Sequence, residues 1–285
     1  LGVFLMRVAL LPVLPVPTPE IHDEFSFLLL GDTIAHGRLA NPTPDLWKSF
    51  ETFHENMYPA YCSKYAPAQG FVLALGEKLG NPWIGVLLSC ALMVATFHWA
   101  LRVWMPARWS FLAAILIGLK LGLTSYWMNS YWGGAVPAFA GALALGGLGR
   151  ILKRSSLGGA LALGAGIAIL ANSRPYEGLI FSLPVGAIFL WWLVSEGKTR
   201  TSISERVTKV FLPASLLLLA GVAFLGYYNW RTTGSPRIFA MSLNQKFYDP
   251  SAIFLWETPG APMPHYNPQF DDFYNRWQRN LYGHN

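Results

Sequence analysis

Six apolar runs, each close to the length needed to cross a bilayer, constrain the fold of this chain more than any other feature. They lie at about 82–105, 109–127, 134–149, 156–172, 178–195 and 210–230. About 20 apolar residues span the hydrocarbon core as a helix, which satisfies its own backbone hydrogen bonds. A seventh apolar run, residues 1–16, precedes them. The sequence therefore predicts an all-α membrane bundle of about seven spans with a long helical first outer loop.

The composition is that of a membrane protein rather than a soluble domain. Charged residues make up 13% of the chain and hydrophobic residues 53%, whereas soluble domains carry roughly 25% charged residues. The two cysteines, Cys62 and Cys90, are too few for a disulfide framework. The net charge of +6 reflects basic loops and does not indicate a nucleic-acid partner.

The distribution of lysine and arginine between the short loops predicts which side each loop faces. Alternate loops are basic and hold Arg102 and Arg108, then Arg150, Lys153 and Arg154, then Lys198, Arg200, Arg206 and Lys209. The loops between them hold no basic residue around Asn129 and only Arg174 near Pro175. Cytoplasmic loops carry the excess of basic residues. We therefore expect an integral membrane protein whose candidate site faces away from the cytoplasm.

These boundaries divide the chain into four parts. Residues 1–16 form a truncated first span, 17–81 an outer loop with a catalytic helix, 82–230 a six-span bundle and 231–285 an outer C-terminal segment. Residues 1–16 lack the basic region, cleavage site and initiator Met of a secretory signal. We therefore expect Leu1 to be an internal residue of a longer protein, and the C-terminal segment to continue.

The outer loop opens with a predicted helix, residues 18–39, that carries an acidic pair. Thr18 can cap this helix, and Pro19 suits its first position. Asp23 and Glu24 follow within the first turns. At about 100° per residue, the stripe that contains Asp23 is otherwise apolar and holds Phe27, Leu30 and Ile34, whereas the polar face holds His22, Ser26 and Thr33. An acid on an apolar stripe indicates a functional carboxylate; the alternative is a loop helix whose Asp23 faces water.

Two other outer segments carry candidate ligands for an anion. The segment SKYAPAQG, residues 63–70, places Lys64 beside Tyr65 near the bilayer surface. There Lys64 could bind a lipid phosphate; the alternative is a solvated lysine. NSRPYEG, residues 172–178, places Arg174 and Glu177 in a very short loop between two spans. Ionisable groups at membrane depth are often functional. The alternative is that these two residues pair only with each other.

The remaining polar candidates are weaker. His22, Asp23, His54 and Glu55 could assemble a divalent-metal site, although no metal-ligand spacing is present. Asn129 lies among aromatics that suit either an interfacial belt or sugar stacking. The chain contains no GxSxG, P-loop, HExxH or CxxC motif, so neither a nucleotide site nor a serine-nucleophile site is indicated.

This layout resembles that of the GT-C glycosyltransferases. One span, an outer loop opening with an acidic pair, a Lys-x-x-Pro segment and a multi-span bundle follow in that order. HDEFSFLLLGDTIAHGRL, SKYAPAQG, NSYWGGAV and SRPYEG look like motifs of the protein O-mannosyltransferase and lipid A aminoarabinose transferase branch, in particular of bacterial dolichyl-phosphate-mannose-transferase-like enzymes. The resemblance covers roughly residues 1–240.

The resemblance implies an inverting transferase that uses a polyprenyl-phosphate-linked sugar and an acceptor at the outer face. It also implies a bacterial inner (plasma) membrane protein whose active site faces the periplasm or exterior. Asp23 matches the catalytic acid of the first loop, with Glu24 as its neighbour. Lys64 matches the lysine that holds the donor phosphate, and Arg174 and Glu177 match the later Arg-Pro motif. The expected substrate-binding residues are His22, His54, Tyr65, Asn129 and Glu177.

The resemblance implies no certain cofactor. A divalent cation, Mg²⁺ or Mn²⁺, held by Asp23 and Glu24 is an open alternative, although this chain has Asn129 where many relatives carry a second acid. The expected partners are the lipid-linked donor, membrane lipid and an acceptor that could be a lipid, a glycan or a protein.

Two other functions compete with transfer. One is a non-catalytic subunit of a membrane assembly. The other is a lipid or solute transporter whose path is marked by the ionisable residues Arg7, Lys120, Arg174 and Glu177. The hexapeptide GALALG occurs at 141–146 and 159–164. It suits a duplicated unit of a transporter or simply close helix packing.

Overall fold

The computed structural model describes residues 1–195, 202–252, 254 and 256–282, which are mostly helical. The helices are α1 (Gly2–Ala9), α2 (His22–Ala35), α3 (Ala68–Lys78), α4 (Pro82–Leu101), α5 (Ala107–Lys120), α6 (Ala135–Arg154), α7 (Leu157–Ala171), α8 (Pro175–Val194), α9 (Ile203–Thr233, π-helical over Val207–Phe211), α10 (Ala240–Tyr248) and α11, which joins Pro268–Phe270, the π-helical Asp271–Gln278 and Arg279–Tyr282. A short 3-10 helix covers Trp47–Ser49, and two short strands, β1 (Glu55–Asn56) and β2 (Cys62–Ser63), pair antiparallel.

Four helices of the described residues are long and apolar enough to cross a membrane: α4, α6, α8 and α9. Helix α7 is apolar but has 15 residues, α5 has 14 and α1 has 8. At about 1.5 Å per residue, helices of this length fall short of a hydrocarbon core roughly 30 Å thick. The predicted helical membrane protein is confirmed in this coarse sense, whereas seven spans are not confirmed.

Glycines bring α6, α7 and α9 into close contact. A Cβ atom on Gly147 would lie 2.6 Å from the carbonyl oxygen of Gly159, so the backbones of α6 and α7 nearly touch. A Cβ atom on Gly164 would lie 2.5 Å from the carbonyl oxygen of Ala214 in α9. The second GALALG contributes Gly159 and Gly164 to these contacts, which supports the packing interpretation of the repeat.

Basic side chains gather at one end of the bundle. Arg150 donates to the carbonyl oxygen of Trp99 at 2.8 Å, and its guanidinium lies 3.5 Å from the centre of that ring. Lys153 donates to the carbonyl oxygen of Val103, and Arg206 donates to carbonyls at the end of α8. Basic groups thus bind the last carbonyls of α4 and α8. The predicted basic residues Lys198 and Arg200 lie outside the described residues.

Glu24 determines where α2 begins. Its Oε2 accepts the backbone N–H of Glu20 at 2.9 Å and that of the next residue at 3.3 Å. Its Oε1 accepts the N–H of Tyr131, in the loop before α6, at 2.9 Å. The predicted cap at Thr18 is therefore wrong, because the carboxylate of Glu24 satisfies the free backbone donors and the helix begins at His22.

The two faces of α2 are both covered. Phe27 and Leu30 belong to the apolar core, as predicted. Ser26 and Thr33 were predicted on a polar face, yet only 0% and 2% of their surface is exposed. The reason is that the loop after α2 folds back over that face, where the Ser26 hydroxyl donates to the carbonyl oxygen of His54 at 2.7 Å.

Candidate active site

Three side chains of the loop between α2 and α3 gather around the carboxylate of Asp23. The Tyr65 hydroxyl donates to its Oδ1. Nε2 of His54 lies 3.8 Å from its Oδ2, and Nδ1 of the same ring lies 2.6 Å from Nζ of Lys64. Nζ of Lys64 also lies 5.3 Å from the centre of the Tyr65 ring. We call Asp23, His54, Lys64 and Tyr65 the Asp23 cluster; all four were predicted site residues.

The β1–β2 hairpin places His54 and Lys64 side by side. The N–H of Lys64 donates to the carbonyl oxygen of His54 at 3.1 Å, which extends the ladder that pairs Glu55 with Ser63. His54 has φ +63°, a left-handed conformation that residues other than glycine adopt rarely. Since Ser26 donates to the same carbonyl, two hydrogen bonds hold this strained backbone in place. In this conformation the imidazole points toward the carboxylate of Asp23.

Burial sets the charges of the Asp23 cluster. It lowers the pKa of His54 to about 3, helped by the charge of Lys64 and opposed by that of Asp23. Burial also lowers the pKa of Lys64 to about 8, although the negative charges of Asp23 and Asp249 raise it in part. Near neutral pH the imidazole is therefore neutral and the ammonium is charged. Because Nδ1 of His54 accepts from Lys64, its proton resides on Nε2 and faces Asp23.

A cavity of about 340 Å³ borders the cluster on the side of Lys64. Its polar lining includes Lys64 and Tyr65 from the loop between α2 and α3, and Arg174 and Glu177 from the start of α8. The N–H of Ala68 links the two segments by donating to the carbonyl oxygen of Asn172 at 2.9 Å. Much of the remaining wall is aromatic and comes from Phe27, Tyr176, Tyr228, Phe239 and Phe254. Two cations in an apolar-walled cavity suit an anionic head group attached to a hydrocarbon chain.

Arg174 remains available to a ligand. Its Nη1 lies 3.5 Å from Oε1 of Glu177, and the two side chains are 44% and 65% exposed. Such exposed pairs contribute little, so the pairing alternative does not occupy the guanidinium. Helix α8 begins directly after Arg174, at Pro175, which adds the positive end of a helix dipole to the same mouth.

A second depression borders the cluster on the side of His22. The exposed ring of His22 stacks on Phe53 with 4.2 Å between centroids and lies 6.0 Å from the ring of His54. Phe273 of α11 packs edge-on against His54 at 5.8 Å. The predicted residue His22 therefore adjoins the cluster without entering the cavity that holds Lys64 and Arg174.

Glu24 and Asn129 lie away from the cluster. Oδ1 of Asn129 accepts from the buried Arg7 at 3.0 Å, and its amide donates to the carbonyls of Leu123 and Ser125, each at 2.9 Å. Both predicted residues line a different hollow, between the chain before α2 and the loop before α6. Their polar atoms hold these segments together, so the structure does not support a catalytic role for Glu24 or a substrate contact for Asn129.

The surroundings of Asp23 do not fit a divalent cation. The hydroxyl of Tyr65 and the N–H of His54 face its two oxygens, and both are hydrogen-bond donors. The positive charge of Lys64, which interacts with Asp23, would repel a metal ion. Mg²⁺ and Mn²⁺ prefer oxygen ligands. The second expected ligand, Glu24, already accepts three backbone N–H groups.

One set of described side chains does have the spacing for a metal ion, at the opposite end of α2. Ligand atoms of Asp32, His36 and Glu77 all lie within 4.8 Å of one another. Asp32 lies roughly 13 Å along the helix from Asp23, and Nδ1 of His36 is already 3.3 Å from its carboxylate. This set is not the predicted combination of His22, Asp23, His54 and Glu55.

Several contributors to the site were missed by the sequence motifs. The hydroxyl of Tyr228, in α9, donates to the carbonyl oxygen of Tyr65 at 2.9 Å. Asp249, just after α10, raises the pKa of Lys64, and α11 supplies Phe273. The adjacent polar residues Tyr228 and Asn229, within the apolar run at 210–230, could have indicated a contact with the site. The C-terminal segment contains no comparable pattern.

Comparison of the chain with protein-family models, curated proteins and solved structures found no match.

Proposed function

We propose that this protein is an integral-membrane glycosyltransferase that moves a sugar from a polyprenyl-phosphate donor to an acceptor at the outer face of the membrane. The observation that carries the proposal is the Asp23 cluster, whose members Lys64 and Tyr65 line an apolar-walled cavity together with Arg174. Transfer from a lipid phosphate needs a base for the acceptor hydroxyl and cations for the departing phosphate. The cavity wall would hold the first units of the prenyl chain.

The reaction would proceed as an in-line displacement at the anomeric carbon. Asp23 accepts the proton of the acceptor hydroxyl while the acceptor oxygen bonds to that carbon. The bond from the carbon to the phosphate oxygen breaks, and its electron pair leaves with the phosphate. Lys64 and Arg174 neutralise the phosphate, Arg174 through a bidentate fork. Attack opposite the leaving group inverts the configuration.

His54 and Tyr65 would position the base rather than react. Burial and the charge of Asp23 raise the pKa of Tyr65 well above its usual value, so the hydroxyl keeps its proton and donates to Oδ1. The neutral His54 presents its N–H toward Oδ2. The Asp23 side chain is 23% exposed, which leaves the carboxylate accessible to an acceptor hydroxyl.

The transporter alternative has less support. Arg7 binds the carbonyl oxygens of Leu14 and Pro15, and Lys120 is exposed at the end of α5. Neither lines the cavity that contains Arg174, so the four ionisable residues do not mark one path. A non-catalytic subunit is distinguished by assaying transfer itself.

The proposed orientation puts the basic end of the bundle in the cytoplasm and the Asp23 cluster at the periplasmic face of a bacterial inner membrane. The basic residues lie at one end of α4, α6 and α8, and the Asp23 cluster lies at the other end. The positive-inside rule assigns the basic end to the cytoplasm. In this arrangement α1, α5 and α7, although shorter than the hydrocarbon core, would join the four long helices in a bundle of about seven segments.

Thiol labelling tests this orientation. A cysteine placed at the exposed Ser49 should react with an impermeant thiol reagent on intact spheroplasts, and one at the exposed Ser202 should not. The background should lack Cys62, although that thiol is only 2% exposed. The reverse pattern would place the donor cavity on the cytoplasmic side and would end the proposal.

The pH dependence of donor use tests the charge of Lys64. Because burial lowers its pKa to about 8, the ammonium is charged below that pH and loses its charge above it. We expect kcat/KM for the donor to fall by about tenfold per pH unit above this point. In Lys64→Arg the fall should disappear, since a guanidinium stays charged. A fall that persists in Lys64→Arg would assign it to another group.

A further inference from the structure

We propose that the depression between the start of α2 and α11 is a binding site for the saccharide acceptor. We call it the aromatic groove; its lining includes His22, Phe53, Gln269, Asp272, Phe273 and Trp277. The inference rests on the proposed function and deepens it, because it selects a glycan among the lipid, glycan and protein acceptors that the sequence left open.

The groove holds two stacked ring pairs, and each pair has one exposed member, His22 or Trp277. His22 stacks on Phe53 at 4.2 Å, and Phe273 stacks on Trp277 at 5.2 Å with 24° between the ring planes. Trp277 is 56% exposed. Aromatic faces bind the C–H faces of pyranose rings, because each offers a flat apolar surface next to polar edges.

Polar groups at the rim distinguish this groove from a lipid-facing surface. Asp272 pairs with Arg276 at 2.9 Å, and both side chains are largely exposed. Gln269, also exposed, adds an amide with donors and an acceptor. Charged groups at this density do not suit hydrocarbon, whereas carboxylate, guanidinium and amide groups match the hydroxyls of a sugar.

The groove lies next to His54, the residue that separates it from the proposed base. The ring of His22 lies 6.0 Å from His54, and Phe273 lies 5.8 Å from His54 on the same side. Nε2 of His54 is then 3.8 Å from Oδ2 of Asp23. The donor cavity borders the cluster through Lys64 instead and shares no lining residue with the groove. Donor and acceptor would thus approach Asp23 from different sides.

The size of the groove suits several sugar units rather than one small molecule. Its volume is about 610 Å³ and it is widely open, within the range of roughly 300–1,000 Å³ that ligand sites occupy. An open groove lets a chain extend beyond the residue that reacts, which a closed pocket would not allow.

Binding of defined oligosaccharides to the full chain in lipid nanodiscs tests the groove. Saturation-transfer NMR should detect hexasaccharides of glucose, mannose or N-acetylglucosamine, with a serine-rich peptide as the competing acceptor class. We expect Trp277→Ala to weaken binding of the preferred saccharide by about tenfold or more. Trp47→Ala is the matched control, because Trp47 also forms a stacked pair in the outer loop but lies outside the groove. In a transfer assay, Trp277→Ala should raise the acceptor KM and leave the donor KM unchanged.

The outcomes separate the groove from the proposed function. Saccharide binding that depends on Trp277 supports the groove whatever the transfer assay gives, whereas absent transfer alone counts against the transferase. Saccharide binding equal in wild type and Trp277→Ala, or no binding by any member of the panel, overturns the inference. Peptide binding that depends on Trp277 overturns it in favour of a protein acceptor. Asp272→Asn, an exposed change that spares the rings, should weaken saccharide binding less than Trp277→Ala does. Unchanged donor binding by Trp277→Ala would show that its fold is intact.

Discussion

Asp23→Asn is expected to abolish almost all sugar transfer while the protein still inserts, folds and binds its lipid-linked donor. Asparagine keeps the shape of the side chain and an oxygen that can accept from Tyr65, but it cannot take a proton from the acceptor hydroxyl. Loss of a positioned base typically costs about 10²–10⁴ in rate. Donor binding should change little, because the phosphate is held by Lys64 and Arg174.

Single-turnover transfer from a radiolabelled polyprenyl-phosphate sugar measures this effect without interference from product release. Asp32→Asn is the matched control, since it makes the same change on an exposed part of the same helix. If Asp23 were structural, the variant would be lost from the membrane or would behave like wild type. Near-normal turnover would move the base to Glu177, the carboxylate that lines the donor cavity.

The length of apolar runs predicted the long helices well, because the bilayer itself sets that length. The run at 82–105 corresponds to α4, Pro82–Leu101. The run at 1–16 gave only Gly2–Ala9, since hydropathy counts apolar residues without registering where prolines stop a helix. The three shorter helices mark the limit of a prediction from hydropathy alone.

The sequence predicted catalytic roles for both acids of α2, whereas the structure gives the two acids different partners. Asp23 and Glu24 are adjacent in sequence, but neighbouring residues point about 100° apart on a helix. One therefore meets the imidazole and the phenol, and the other meets three backbone N–H groups. Which acid faces which partner depends on the loops that pack on each side, and those contacts are not encoded in the spacing of the pair.

The gathering of His54, Lys64 and Tyr65 around Asp23 was not predictable from residue periodicity. Lys64 returns to Asp23 through a hairpin with two residues per strand, too short for alternation of polar and apolar residues to be recognised. The left-handed His54, which directs the imidazole, has no sequence signature because glycine or asparagine would normally mark such a conformation.

Lys64→Ala is expected to weaken donor binding more than it slows the reaction of the bound donor. The ammonium would contact a phosphate that is charged both before and during transfer, so its contribution is made in the ground state as well as in the transition state. A lost charge-assisted contact is worth on the order of 1.5–3 kcal/mol, roughly ten- to hundredfold in affinity. Arg174 should still contact the phosphate and provide the remaining donor affinity.

Equilibrium binding of the radiolabelled donor in nanodiscs, together with donor KM and kcat, separates the two effects. Lys48→Ala is the matched control, because Lys48 is an exposed lysine of the same loop that lies 5.8 Å from the Trp47 ring, outside the cavity. Loss of Lys64 also removes the proton donor to His54, 2.6 Å away, so a modest fall in kcat is expected. If turnover collapsed while donor affinity stayed unchanged, Lys64 would act on the Asp23 side of the reaction, and Arg174 would be left as the phosphate ligand.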